Sequence, residues 1–307
     1  MRPYYAISLK LLSTVAFITM AALIKVSVRE VPPGEAVFFR SLFAIPVIMA
    51  WLAHTGQLRC GLRPNSPMAQ VWRGVLGTVG MGLGFAALGL LPFSEAKAIG
   101  YSGPLLTVVF SAMFLGERPG AYRLASVILG FVGVLVILAP QMVGLDDVAA
   151  SWRTLVGIAA ALGSATAGAL SQVFVRELVK TEQTAAIVFW FSVTSCLMAL
   201  FSMPFGWVVP DLRVAGYLAL AGILGGLGQM LLTGAYRFAD AAIVAPFGYI
   251  SMVLAIVIGY FVFGEVPTAT MLSGAGLIIL AGLVIIWREH RAGINRSEQR
   301  KAMTPME

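Results

Sequence analysis

The sequence predicts an all-α integral membrane protein: ten transmembrane helices in an inverted repeat of five and five, with both chain ends in the cytoplasm. Composition, the succession of apolar runs and an internal duplication carry that expectation. Of 307 residues, 59% are hydrophobic and 11% charged, with a mean hydropathy of +0.89. A soluble domain keeps roughly 25% of its residues charged. With less than half of that, lipid must serve as solvent for much of the surface. A bilayer core of about 30 Å takes roughly 20 apolar residues per helix, so ten spans and their links use nearly the whole chain.

Apolar runs bounded by charge, Pro or Gly fall near 5–28, 34–54, 71–91, 94–115, 121–139, 154–176, 184–205, 213–236, 240–263 and 268–287. The first is a span rather than a cleavable leader, because Arg2 precedes an apolar stretch that reaches Lys25 without a small-residue cleavage site. Spans three and four are joined by the tight turn Pro92-Phe93-Ser94-Glu95, and spans eight and nine by Arg237-Phe238-Ala239-Asp240.

Loop charge sets the orientation. Fourteen Lys and Arg fall on the side of the N-terminus, among them Arg2, Arg63, Arg73, Arg118, Arg123, Lys180 and Arg288, and three on the other side: Arg29, Arg153 and Arg213. Cationic loops stay cytoplasmic. That bias also accounts for the net charge of +7 without a nucleic-acid partner.

The duplication is read from matches in register. At a spacing of 147, Val28-Arg29-Glu30 recurs as Val175-Arg176-Glu177, and Glu35 as Glu182. Gly77, Gly80, Gly89 and Phe93 recur 145 residues on as Gly222, Gly225, Gly234 and Phe238. Gly116-Glu117-x-Pro119 becomes Gly264-Glu265-x-Pro267. Two repeats, 1–140 and 141–290, are expected, followed by a cytoplasmic tail at 291–307. With five spans each, the second enters the membrane inverted, a plan typical of secondary transporters.

Several residues are candidates for a site. Arg40 lies roughly 9 Å inside the second span at 1.5 Å per residue, where a charge facing lipid costs several kcal/mol. It is expected to face a partner or a wet cavity, with Lys25 and an interfacial Glu35 near the same depth. Pro104 and Pro246 interrupt spans four and nine at corresponding places, and paired interrupted helices are a sequence pointer to a binding site. Tyr101 and Tyr249 flank those prolines. Gln172 and Gln229 lie deep in spans six and eight, and Trp190, Phe85 and Tyr236 are aromatics that such a cavity can use. The glycines of spans three and eight fit close helix packing.

Gly100-Tyr101-Ser102-Gly103 has the form of an intramembrane protease nucleophile, which needs a base within hydrogen-bond reach. His54 falls at the cytoplasmic end of span two and His290 in the tail, whereas Ser102 is expected in the outer half of the membrane, so neither histidine reaches it. No Walker-type loop or metal-ligand cluster occurs, and Cys60 and Cys196 are isolated thiols. The chain is therefore read as a non-enzyme without cofactor or metal, its expected partners being a small molecule, the bilayer and, as one option, a second copy in a homodimer.

Glu35-Ala36-Val37-Phe38-Phe39-Arg40, Arg73-Gly74, Pro104 with Phe110 to Glu117, and Phe261 to Glu265 together resemble the drug/metabolite transporter superfamily, in its EamA branch of ten-helix carriers. The resemblance covers about 1–290. It implies multi-pass insertion in a bacterial inner membrane and a cavity formed by spans one to four and six to nine. Arg40, Tyr101, Gln172, Trp190, Gln229 and Tyr249 would fall on or near that cavity. The Phe38-Phe39-Arg40 and Trp72-Arg73-Gly74 segments are similar to uptake carriers for riboflavin and for S-adenosylmethionine. Riboflavin uptake is the leading substrate expectation. S-adenosylmethionine uptake and export of amino acids or drugs are the alternatives within transport, and a membrane sensor or assembly factor the alternative outside it.

Overall fold

A computed structural model describes residues 3–54, 56, 62–115, 121–143, 148–238, 247–248 and 250–284. Every regular element among them is a helix. In order these are α1 (Pro3–Ser27), α2 (Pro33–His54), α3 (Pro67–Leu90), α4 (Phe93–Gly100), α5 (Ser102–Leu115), α6 (Ala121–Val143), α7 (Val148–Thr181), α8 (Thr184–Leu200), α9 (Leu212–Phe238), α10 (Ile250–Phe263) and α11 (Ala269–Val284). Five of them, α1, α2, α3, α7 and α9, are long and apolar enough to cross a membrane by length and composition. Each apolar run read from the sequence contains a helix, and the fourth contains two.

The fourth run is broken at Tyr101, three residues before the proline expected to break it. Pro104 is the third residue of α5, in the first turn, where the N–H groups have no helical acceptor and a missing one costs nothing. Pro246 and Tyr249, the corresponding candidates in span nine, lie outside the described residues. Span seven ends at Leu200 rather than near 205. Beyond it a short 3-10 turn, Met203–Phe205, leads to Gly206, whose φ of 91° suits a residue without Cβ.

The helices interlock rather than stack in chain order. α1 lies along α9, and α3 along α7; α2 packs on both α8 and α9, while α8 also meets α3. Glycine permits these approaches. A Cβ on Gly80 would stand 3.1 Å from the backbone nitrogen of Gly168, and one on Gly226 would stand 3.0 Å from Cα of Ala44. Close packing is thus the role of these glycines, as their clustering suggested.

The outer surface is apolar. On α6, Leu124, Ile128, Val132 and Leu135 face outward at helical spacing, while Val127, Val134, Ile137 and Leu138 face the core. Exposed aromatics gather at helix ends: Tyr4, Tyr5, Trp51 and Trp72 at one end of the bundle, Trp152, Phe201 and Phe205 at the other. Aliphatic flanks between two aromatic belts are how a bundle meets a bilayer and its interfaces.

Candidate functional site

The buried face of α2 carries Ala36, Arg40, Ala44, Ile48 and Leu52 at successive intervals of four. That stripe packs into the bundle, so Arg40 points into protein and not into lipid, as its depth required. It is 2% exposed. Gly225 of α9 makes its space: a Cβ there would stand 2.6 Å from Arg40 Nε.

Arg73 is the residue that sequence reasoning misplaced. Counted with the cytoplasmic loop charges, it stands inside α3, 5% exposed. The loop bias then becomes thirteen to three and keeps its direction. α3 begins six residues earlier, at Pro67, because the Ser66-Pro67 pair can start a helix in polar sequence. Arg73 enters near one end of the bundle and Arg40 near the other. They converge on one ring, that of Phe191 in mid-α8: Arg73 Cζ lies 3.7 Å and Arg40 Cζ 5.6 Å from its centroid. Both distances fall within cation–π range. Gly77 leaves the gap, since a Cβ there would meet Phe191 at 2.8 Å and Arg73 Nη1 at 3.3 Å.

Neither guanidinium has an acidic partner among the described residues. Arg40 Nε and Nη1 and Arg73 Nε and Nη1 are buried without a hydrogen-bond partner. Gln70, one turn before Arg73 on α3, has neither amide atom satisfied. Arg73 keeps its backbone fixed through Ser171 of α7, whose hydroxyl donates to the Arg73 carbonyl at 3.1 Å.

A second polar cluster closes the end of the bundle where α1 and α3 finish. Lys25 Nζ donates to the Leu91 carbonyl at 2.7 Å and lies 3.5 Å from Glu265 Oε1. Glu265 in turn accepts the backbone N–H groups of Phe93 at 2.6 Å and Ser94 at 3.0 Å, capping α4. Four elements, α1, α3, α4 and the α10–α11 link, meet at this one carboxylate. The sequence flagged Lys25 but not its partner, although Glu265 belongs to the recurring Gly-Glu-x-Pro pattern.

The other candidates disperse. Tyr101, at the α4–α5 break, donates its hydroxyl to the Gly248 carbonyl at 3.0 Å and contacts the Ser251 hydroxyl, so the break of span four touches the start of α10. Trp190 donates to the Leu62 carbonyl at 2.9 Å and braces the link before α3. Gln172 is on the exposed face of α7, and Gln229 is half-buried on α9. Glu35, expected at the interface, is buried and accepts the Val208 N–H at 3.0 Å. Glu182, its match 147 residues on, accepts the N–H groups of Asn65 and Ser66 at 2.6 and 2.7 Å. A cavity of about 200 Å³ opens between α3, α4 and α7 beside Gly80, Gly84, Lys97 and Ser164. It follows the stripe of α3 that carries Arg73 and Gly77.

A family model described as the EamA-like transporter family matches this chain twice, over residues 4–139 and 155–287. The chain belongs to that family. Its relatives include the pseudopaline exporter of Pseudomonas aeruginosa, 34% identical over 280 residues, covering 90% of this chain and 94% of that protein. The S-adenosylmethionine uptake transporter of Rickettsia bellii is 28% identical, over 84% of this chain and 85% of the relative. The riboflavin transporter of Rhizobium johnstonii is 30% identical, over 85% and 83%. Among solved structures, one crystal structure superposes with a TM-score of 0.68 over 94% of this chain and 98% of its own, at 23% identity. This EamA-like chain is thus a multi-pass membrane transporter of a small molecule.

Proposed function

We propose that the protein is a secondary carrier of a small organic metabolite in a bacterial inner membrane, working by alternating access between two inverted five-span halves with both termini in the cytoplasm. The observation that carries this reading is the matched crossing of the halves. α1 on α9 and α3 on α7 are the same pairing seen from each repeat, span one on eight and three on six. Glu35 and Glu182 repeat the match at opposite ends of the bundle, Glu35 accepting one backbone N–H ahead of α9 and Glu182 two ahead of α3, each from the other half. The two separate family matches support the same division into 1–140 and 141–290. Halves locked crosswise can rock about a central site while one end closes as the other opens.

Riboflavin remains the neutral candidate substrate, supported by the relative named as a riboflavin transporter. S-adenosylmethionine is supported in the same way, and export by the pseudopaline exporter. The test is reconstitution of the full chain in proteoliposomes with labelled riboflavin, S-adenosylmethionine and a panel of organic acids and phosphates. Saturable uptake of one of them, accelerated by the same unlabelled solute inside, is expected. Uncoupled leak with no counterflow for any member would overturn the carrier reading.

A further inference from the structure

We infer that Arg40, Arg73 and Gln70 form an oxyanion cradle at mid-depth in the bundle, and that the transported solute presents a carboxylate or phosphate to it. The inference rests on the carrier reading above and narrows its substrate. A guanidinium carries five N–H donors in a rigid fork and cannot shed its charge in a protein. Two such forks meet at one ring, no farther apart than their two distances to its centroid laid end to end. Four of their nitrogens and both polar atoms of Gln70 are sealed from solvent with nothing to bind.

Phe191 offsets little of that. A cation–π contact is weak compensation beside the cost of an unpaired buried charge, and here two like charges share the site. Buried polar groups in native proteins are almost always satisfied, so this arrangement marks the missing partner as an anion. An oxyanion fits the donor geometry, because its oxygens accept bidentate pairs from planar forks. Gln70 adds an amide donor one turn from Arg73. Gly77 and Gly225 keep the space for both guanidiniums. Both guanidiniums lie against Phe191, and binding exchanges the ring for the anion. The same exchange ties occupancy to helices of both halves, since Arg73 and Arg40 enter from α3 and α2 and the ring from α8.

A neutral flavin would leave both forks unpaired, so riboflavin serves as the control solute. Thermal unfolding of the purified full chain is measured with succinate, citrate, glycerol 3-phosphate, riboflavin and the dimethyl ester of succinate, at one ionic strength. At least one oxyanion solute is expected to stabilise the wild type while the ester and riboflavin do not. Stabilisation by carboxylates alone or by the phosphate ester alone identifies the group. Arg40→Gln and Arg73→Gln should each weaken binding of that solute on the order of 100-fold. Arg40→Lys and Arg73→Lys keep the charge and guard against misfolding, and should still lose about tenfold because a point charge does not reproduce the fork. Stabilisation of the wild type by no oxyanion on the panel, or equally by chloride, overturns the cradle. So does saturable riboflavin uptake that is unchanged in Arg40→Lys and Arg73→Lys, a result that leaves the carrier reading intact. Absence of counterflow for every solute, with anion binding preserved, sinks the carrier reading and not the cradle.

Discussion

At the scale of single residues, two glycines that look alike in sequence do different work. A methyl group at Gly225 would meet the Arg40 guanidinium at 2.6 Å and Met20 Sδ at 2.9 Å, both ends of flexible side chains. One at Gly274 would meet the backbone carbonyl of Gly133 at 2.5 Å, which cannot give way without moving a helix. Gly225→Ala is therefore expected to leave the melting temperature in detergent within a few degrees. A helical alanine recovers about 1 kcal/mol of propensity, while solute uptake falls at least tenfold as Arg40 is displaced. Gly274→Ala should instead cost about 1–3 kcal/mol of stability and lose protein from the membrane. Uptake per folded molecule, measured beside expression and melting, separates the two outcomes. Equal effects on uptake and stability at both sites would remove Gly225 from the site.

At the scale of elements, the Lys25–Glu265 cluster fastens the start of α4 to the far half of the chain. The charged pair is largely buried, and the carboxylate also caps two backbone N–H groups, so removing it leaves donors and an ammonium unmatched. Breaking such a buried pair costs on the order of 3–5 kcal/mol. Ser102 lies nine residues beyond Phe93, just past the break at Tyr101, and is fully buried. In a chain lacking Cys60 and Cys196, Ser102→Cys should label slowly with a water-soluble thiol reagent. Adding Glu265→Gln should raise that rate at least tenfold from the outer side. An unchanged rate would make the cluster a brace and not a gate. The break above Ser102 shows how sequence and structure diverge at this scale. A proline is visible to sequence reasoning, but the break falls at Tyr101, whose hydroxyl reaches Gly248 and Ser251 at the start of α10, a contact between segments about 150 residues apart.

At the scale of the whole molecule, the proposed orientation rests on loop charge, and the bias keeps its direction after Arg73 is removed from the count. Reporter fusions after Pro64 and at the C-terminus should read cytoplasmic, and one after Val209, which is 96% exposed in the α8–α9 link, the opposite side. Pro64 and Val209 reporting the same side would dismantle the inverted repeat. The crossed packing adds a further expectation. Because α1 rests on α9 and α3 on α7, neither 1–140 nor 141–290 buries its own apolar faces alone. Each half expressed singly should be degraded, whereas co-expression should restore membrane-inserted protein.

The sequence by itself determined the solvent, the helices and the family. Hydropathy is additive along the chain, apolar runs have the length of a bilayer, and a duplicated pattern keeps its order. It also placed Arg40, because a charge in the middle of an apolar run has few places to go. Only the tertiary structure decided what surrounds that charge. Arg73 reads as one more loop cation until α3 is seen to start at Pro67, and Gln70, Phe191 and Gly225 carry no mark of chemistry in sequence. Their meaning lies in convergence, in α2, α3, α8 and α9 bringing residues as much as 185 positions apart to one point. Glu265 joins Lys25 for the same reason. Which cation is buried, and whether it finds a partner, is set by helix crossings between halves, and no local pattern encodes those.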